Sequence, residues 1–150
     1  MTVTIEKGDP RDPRALTLLT AHHALMQSLF PAESNHYLSA GALCAPEVTF
    51  LIAREGEAFL GCGALANKGV YGEIKSMFVA DNARGKGVAN KLLTSLIAAA
   101  QEASLPKLYL ETGNTLHAAH KLYEKQGFDY CGPFGDYAAD PLSLFMERAL

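Results

Sequence analysis

Residues 79–91 read VADNARGKGVANK: an apolar strand end, a polar turn, a glycine-bracketed basic loop and the first turn of a helix. The start of a helix leaves backbone N–H groups without intrahelical partners and carries a partial positive charge. Glycines at that point let an anionic oxygen come within hydrogen-bonding distance of several amides. Gly85 and Gly87 supply the missing side chains here, Arg84 and Lys86 add attraction, and the geometry suits a diphosphate. On its own, Arg84-Gly85-Lys86-Gly87 fits an ordinary strand-to-helix turn equally well. Two common phosphate fingerprints are not matched, because the loop lacks the Gly-Lys-Ser/Thr ending of a P-loop and Asn90 stands where a dinucleotide-binding turn has its third glycine.

Downstream, Val88, Ala89, Leu92, Leu93, Leu96, Ile97 and Ala100 form an apolar stripe opposite Asn90, Lys91, Thr94, Ser95 and Gln101, the pattern of a helix packed on one side. Residues 107–112 (KLYLET), after Pro106, predict a buried strand, and strand, helix and strand at this spacing imply a right-handed parallel crossover. A further helix over about 115–126 should bury Ala118, Ala119, Leu122 and Tyr123 and stop at Gly127. Residues 128–131 and 142–148 complete the strands. Upstream, 48–54 and 58–65 predict antiparallel strands joined at Glu55-Gly56, with a third strand over 70–79 making a meander. Residues 1–7 alternate as a short first strand. Asp12-Pro13 starts a helix with Leu16, Leu19, His23, Met26 and Phe30 on its apolar face, and a second helix is predicted over 34–43 with Tyr37 and Leu38 inward.

With 150 residues, 49% of them hydrophobic and 19% charged, the chain is expected to form one domain over 1–150 with a core sufficient to fold alone. A net charge of -3 argues against nucleic acid or an anionic membrane surface as partner. No apolar run is long enough to span a bilayer, and residues 1–7 lack the basic and apolar regions of a signal peptide. The three cysteines, Cys44, Cys62 and Cys131, are odd in number and form no Cys-x-x-Cys pair, so they suggest reduced thiols in a cytoplasmic protein. The His22-His23 pair has no supporting ligand at metal spacing, and no metal is expected.

Two blocks carry a family resemblance. Arg84-Gly85-Lys86-Gly87-Val88-Ala89 resembles the Arg/Gln-x-x-Gly-x-Gly/Ala signature of the GNAT superfamily of acyl-CoA-dependent N-acyltransferases. Residues 119–128 (AHKLYEKQGF) are similar to that family's second hallmark, an amphipathic helix ending in Leu-Tyr-Glu-Lys-x-Gly-Phe. The resemblance, which covers nearly the whole order of elements, implies an α/β (α+β) fold. Its sheet would be mixed and mostly antiparallel, of about seven strands with a parallel, splayed central pair, flanked by about four helices.

It also implies acetyl-CoA as co-substrate. The pantetheine arm would lie in the splay against backbone groups of Met77, Phe78 and Val79, and the pyrophosphate would lie on Arg84, Gly85, Lys86, Gly87, Val88 and Ala89. The implied reaction is direct attack of a primary amine on the acetyl thioester in a ternary complex. Tyr123 occupies the position from which family members protonate the leaving sulfur, and a phenol with a pKa of about 10 is neutral and able to donate. Glu73 occupies the position of a glutamate that takes the amine proton. A carboxylate with an ordinary pKa of about 4.3 needs burial or a water relay for that work, and a surface ion pair with Lys75 accounts for Glu73 equally well. Glu111 is the reserve candidate. The family's asparagine seven positions before the tyrosine is replaced by Leu116; Asn114, two residues earlier, is read as a cofactor contact or a helix cap.

On the acceptor side the candidates are His22, His23, His36, Tyr37 and residues 133–137, a loop that either lines a pocket or packs Phe134 into the core. The small size favours a small-molecule amine over a protein or peptide acceptor. A module that binds acyl-CoA without turnover is the alternative from another class, and a homodimer is expected from family habit alone.

Overall fold

The polypeptide lays down a seven-stranded sheet in the order β1-β2-β3-β4-β5-β7-β6. The strands are β1 (Thr4–Lys7), β2 (Val48–Glu55), β3 (Ala58–Asn67), β4 (Gly72–Val79), β5 (Lys107–Gly113), β6 (Asp129–Cys131) and β7 (Ser143–Ala149). The structure, a computed structural model, describes residues 2–150; Met1, the first residue of the alternating N-terminal stretch, lies outside them. Every ladder among the described residues is antiparallel except that between β4 and β5. Four α-helices accompany the sheet: α1 (Pro13–Leu29), α2 (Ala40–Leu43), α3 (Val88–Glu102) and α4 (His117–Lys125). The architecture matches the mixed sheet with one parallel pair that the sequence implied.

Two apolar layers hold the helices to the sheet. On one face the α3 stripe, with Leu92, Leu93, Leu96 and Ala100 at 0% exposure, packs with Leu65, Ile74, Leu108 and Met146. Each such leucine contributes about 1.5–3 kcal/mol by leaving water. On the other, Ala15, Leu18 and Leu19 of α1 join Phe50, Ile52 and Ala64.

Four local expectations are corrected. The inward face of α1 is Ala15, Leu18, Leu19 and His22, while Leu16 is exposed. Both stripes keep helical spacing, and the small Ala15 allows the closer approach to the sheet. Residues 34–43 do not form one helix. A 3₁₀ turn (Ala32–Ser34) is followed by extended chain, and the four-residue α2 starts only where the Ser39 hydroxyl accepts from the Ala42 N–H at 3.1 Å. Ala118 is exposed, and the buried face of α4 is His120 and Tyr123. The first hairpin also turns one residue later than expected, at Gly56-Glu57, with Glu55 opposite Ala58 and Gly56 at φ 61°.

What positions the site is the centre of the sheet. β4 and β5 pair only over Gly72–Leu108, Glu73–Tyr109 and Ile74–Leu110 and then part, β4 staying on β3 and β5 on β7. Where they part, β4 is bulged: the register against β3 shifts between Cys62 and Ala64, and Ser76 takes a left-handed φ of 56°. Gly63 lies opposite the bulge, where a Cβ would meet Met77 Sδ at 2.6 Å. The Cys62 thiol donates to the Ser76 carbonyl at 3.3 Å.

Candidate active site

The parted ends of β4 and β5 open a cavity of about 780 Å3, which extends from the loop before α3 to the inner side of α1. Its walls include Met77, Phe78 and Val79 from β4, Thr112 and Gly113 from β5, and Leu122 and Tyr123 from α4. His120 Nε2 lies 2.8 Å from the Gly113 carbonyl and ties α4 to the end of β5.

At one end Arg84, Gly85, Gly87, Val88 and Ala89 line the cavity. Gly85 and Gly87 have φ of 82° and 73°, a region that L side chains rarely adopt, and Gly87 caps α3 in the left-handed conformation. No side chain caps the first amides of α3. A Cβ at either glycine would meet nothing within 4 Å, so a side chain there would project into open space beside those amides. Uncapped amides, a helix dipole and two glycines in the loop fit the phosphates of a CoA. Arg84 is exposed and pairs with Asp81 at 3.3 Å. Lys86 is exposed and, like Asn114, is not among the residues that line the cavity. Asn114 does not cap α4, whose N-cap is Leu116; its N–H donates to the Leu142 carbonyl, and its buried Oδ1 has no partner in the protein.

Near the middle, Tyr123 is 6% exposed, and burial, with the charge of Glu111 nearby, pushes its phenol well above the usual tyrosine range. It therefore stays protonated and able to donate. Glu111 lines the same cavity, and burial raises its carboxyl above the ordinary glutamate range. Glu73 is placed differently. It is 5% exposed and does not line the cavity; its Oε2 accepts from the Tyr137 hydroxyl at 2.5 Å and lies 3.4 Å from the Lys75 ammonium. The neighbour that reaches the cavity is Lys75, which also donates to the His36 carbonyl and the Tyr137 hydroxyl, both at 2.8 Å.

At the α1 end His22, His36 and Tyr37 line the cavity together with Leu25, Met26 and Phe30; His23 stacks on Tyr37 outside it. Residues 133–137 form a packed connection. Phe134 is 7% exposed and stacks on Tyr109, with Tyr137 and Phe145 edge-on. Sequence reasoning did not single out Ser76. Its left-handed backbone leaves no local signal, since serine is an ordinary strand residue, and only the glycine across the ladder marks the spot. Among the described residues no group of three or more His, Cys, Asp or Glu is arranged to hold a metal ion, and no helix is long and apolar enough to cross a membrane.

Comparison with known proteins agrees with this geometry. The family model for the acetyltransferase (GNAT) family matches residues 17–128. An IAA acetyltransferase of Azospirillum brasilense is 43% identical over 99% of this chain and 98% of its own. An uncharacterized N-acetyltransferase of Bacillus subtilis, YsnE, is 41% identical over 97% and 99%. A crystal structure from Klebsiella pneumoniae, described as an acyl-CoA N-acyltransferase, superposes with a TM-score of 0.83 at 32% identity, covering 99% of this chain and 98% of that one. A streptothricin acetyltransferase homologue from Bacillus anthracis, solved with acetyl coenzyme A, is 28% identical with a TM-score of 0.62 over 72% and 65%. The parted strands, the uncapped glycine loop and the buried tyrosine thus occur in a chain that belongs to the GNAT family of acetyl-CoA-dependent acetyltransferases.

Proposed function

We propose that this protein, acting as one domain over residues 1–150, transfers the acetyl group of acetyl-CoA to the primary amine of a small molecule by direct attack in a ternary complex. The observation that carries this reading is that Glu111 and Tyr123, a carboxyl and a phenol whose pKa values are both raised by burial, line one cavity at the parting of β4 and β5. Acetyl-CoA supplies the acetyl thioester, whose C–S bond breaks as the N–C bond to the amine forms. Glu111 receives the proton that the ammonium must lose, directly or through water, and Tyr123 donates a proton to the departing sulfur. Glu73, fixed by Tyr137 and Lys75, holds the α1 end of the cavity in shape.

Backbone groups of Met77, Phe78 and Val79 are the proposed partners of the pantetheine arm, and the amides and side chains of Arg84–Ala89 those of the phosphates. The name of the Azospirillum relative favours a small molecule over a protein segment. The cytoplasm and a homodimeric state belong to the same proposal. Thiol release from acetyl-CoA across a panel of small amines and a lysine-containing peptide tests it. Release with the amines is expected, and release with the peptide alone overturns the small-molecule acceptor.

A further inference from the structure

The α1 end of the cavity carries the apolar side chains of Leu25, Met26, Phe30 and Leu142, and two of the neutral polar residues that line it are left without a partner. His22 is 9% exposed and Ser76 7%, and neither His22 Nδ1 nor Ser76 Oγ has a hydrogen-bond partner in the protein. An unpaired buried polar atom costs about 1–3 kcal/mol. The two residues lie on elements that pack together: His22 on α1 meets the ring of Phe78, two residues beyond Ser76 on β4, at a centroid distance of 5.5 Å. Ser76 is moreover held at a φ of 56°, a conformation that a non-glycine residue keeps only when its surroundings impose it. Burial pushes the His22 imidazole down to about 4, so the ring is neutral at neutral pH.

The charge left without an ion-pair partner beside this end is negative. Among the described residues Glu111 has no ion-pair partner, which favours an ammonium arriving beside it. Lys75 is not free to receive a carboxylate, because its ammonium donates to His36 and Tyr137 and faces Glu73. Arg84 belongs to the glycine loop at the far end and pairs with Asp81. A second negative charge on the acceptor would therefore meet Glu111 while the nearby Lys75 ammonium is already engaged by Glu73, His36 and Tyr137.

Building on the acetyl-transfer function proposed above, we infer that the acceptor is a monocationic primary amine on a small apolar frame, carrying one uncharged hydrogen-bonding group, a hydroxyl or a carboxamide, that pairs with His22 and Ser76. An imidazole and a hydroxyl can each donate or accept, which suits either group. Amino acids with a free carboxylate and polyamines fall outside the class.

The test is a set of four acceptors that share one branched aliphatic frame: isoamylamine, leucinol, leucinamide and leucine. Each is assayed by thiol release with the unaltered protein, with Ser76→Gly, which suits the left-handed backbone, and with His22→Phe. Leucinol and leucinamide are expected to exceed isoamylamine about tenfold in kcat/KM, the factor that one hydrogen bond of ordinary strength supplies, and leucine is expected to fall below it. Both variants should bring the leucinol-to-isoamylamine ratio toward one, a change that a general loss of folding cannot produce because it scales both rates alike. A ratio near one in the unaltered protein, a ratio that neither variant alters, or leucine as the best of the four overturns the inference while leaving amine acetylation intact. Absence of thiol release with all four while other small amines are acetylated overturns the inference alone; absence with every small amine of the wider panel overturns the proposed function itself.

Discussion

The Tyr137 hydroxyl donates to Glu73 Oε2 at 2.5 Å and accepts from the Lys75 ammonium at 2.8 Å, joining the last long loop to β4. Burial and the Glu73 carboxylate together push this phenol far above the ordinary tyrosine range, so it keeps its proton and remains a donor at neutral pH. Tyr137→Phe leaves a buried carboxylate short of a donor. It is expected to cost about 2 kcal/mol, seen as a fall of roughly 4–8 °C in Tm. CoA affinity, measured by calorimetry, should hold, since Tyr137 does not line the cavity. An unchanged Tm would show that Lys75 alone suffices for Glu73.

Tyr123→Phe removes the one phenol that α4 brings to the cavity and keeps the ring that packs against Phe128. If the hydroxyl assists the leaving sulfur, kcat falls about 10²-fold, within the range for one general acid, while the Kd for CoA moves little. A variant with unaltered kcat would leave Tyr123 as core alone.

Glu111 gives the reaction its pH signature. Because burial raises its carboxyl, the group stays protonated, and unable to accept the amine proton, to a higher pH than an ordinary glutamate. The acid limb of kcat/KM should accordingly rise through a midpoint above 4.5, the unperturbed value. Glu111→Gln should lower kcat/KM by about 10²–10⁴ and remove that limb. The stability effect has the opposite sense: the folded state binds the extra proton, so the contribution of Glu111 to stability falls as pH rises between the unfolded and the folded pKa. A limb that persists in Glu111→Gln would return the base to Glu73.

Most of the fold was legible because it follows from periodicity. The α3 stripe, the meander and the Gly127 stop each rest on residues whose spacing or φ preference is local. Residues 34–43 misled because Tyr37 and Leu38 are apolar enough to read as the inward face of one helix, whereas the Ser39 cap, a single hydroxyl, decides where the helix begins. In the site, the glycine loop and Tyr123 were visible as motifs. Which carboxylate faces the cavity was not. Glu73 and Glu111 are both strand glutamates, and they are separated only by the parting of β4 and β5 beyond Ile74 and by the chance that Tyr137 and Lys75 engage one of them. Such choices depend on contacts between residues far apart in the chain, which spacing does not encode.

His22 makes a stability prediction with a defined window. Its imidazole is pushed from 6.5 down to about 4, chiefly by burial, so the folded state refuses a proton that the unfolded chain accepts. Stability from this group is complete above 6.5 and is lost as pH falls toward 4, by an amount on the order of 3 kcal/mol. Thermal unfolding between pH 7 and 4 should show this loss, and His22→Phe should be flatter over the same interval. Parallel curves would mean that His22 is protonated in the folded protein.

Gly69 supplies a control for the phosphate loop. It has a φ of 83° on an exposed turn, close to the 82° of Gly85 and the 73° of Gly87, and a Cβ at any of the three meets nothing within 4 Å. Alanine at each position therefore carries a similar backbone penalty, about 1–2 kcal/mol. Only Gly85 and Gly87 flank the uncapped amides of α3, where a methyl group competes with an anionic oxygen for space. Gly85→Ala combined with Gly87→Ala should weaken CoA binding at least about tenfold, the loss of one or more charge-assisted hydrogen bonds. Gly69→Ala should lose stability alone. Equal CoA affinity in both proteins would show that the glycines serve the turn and that the phosphates are held elsewhere.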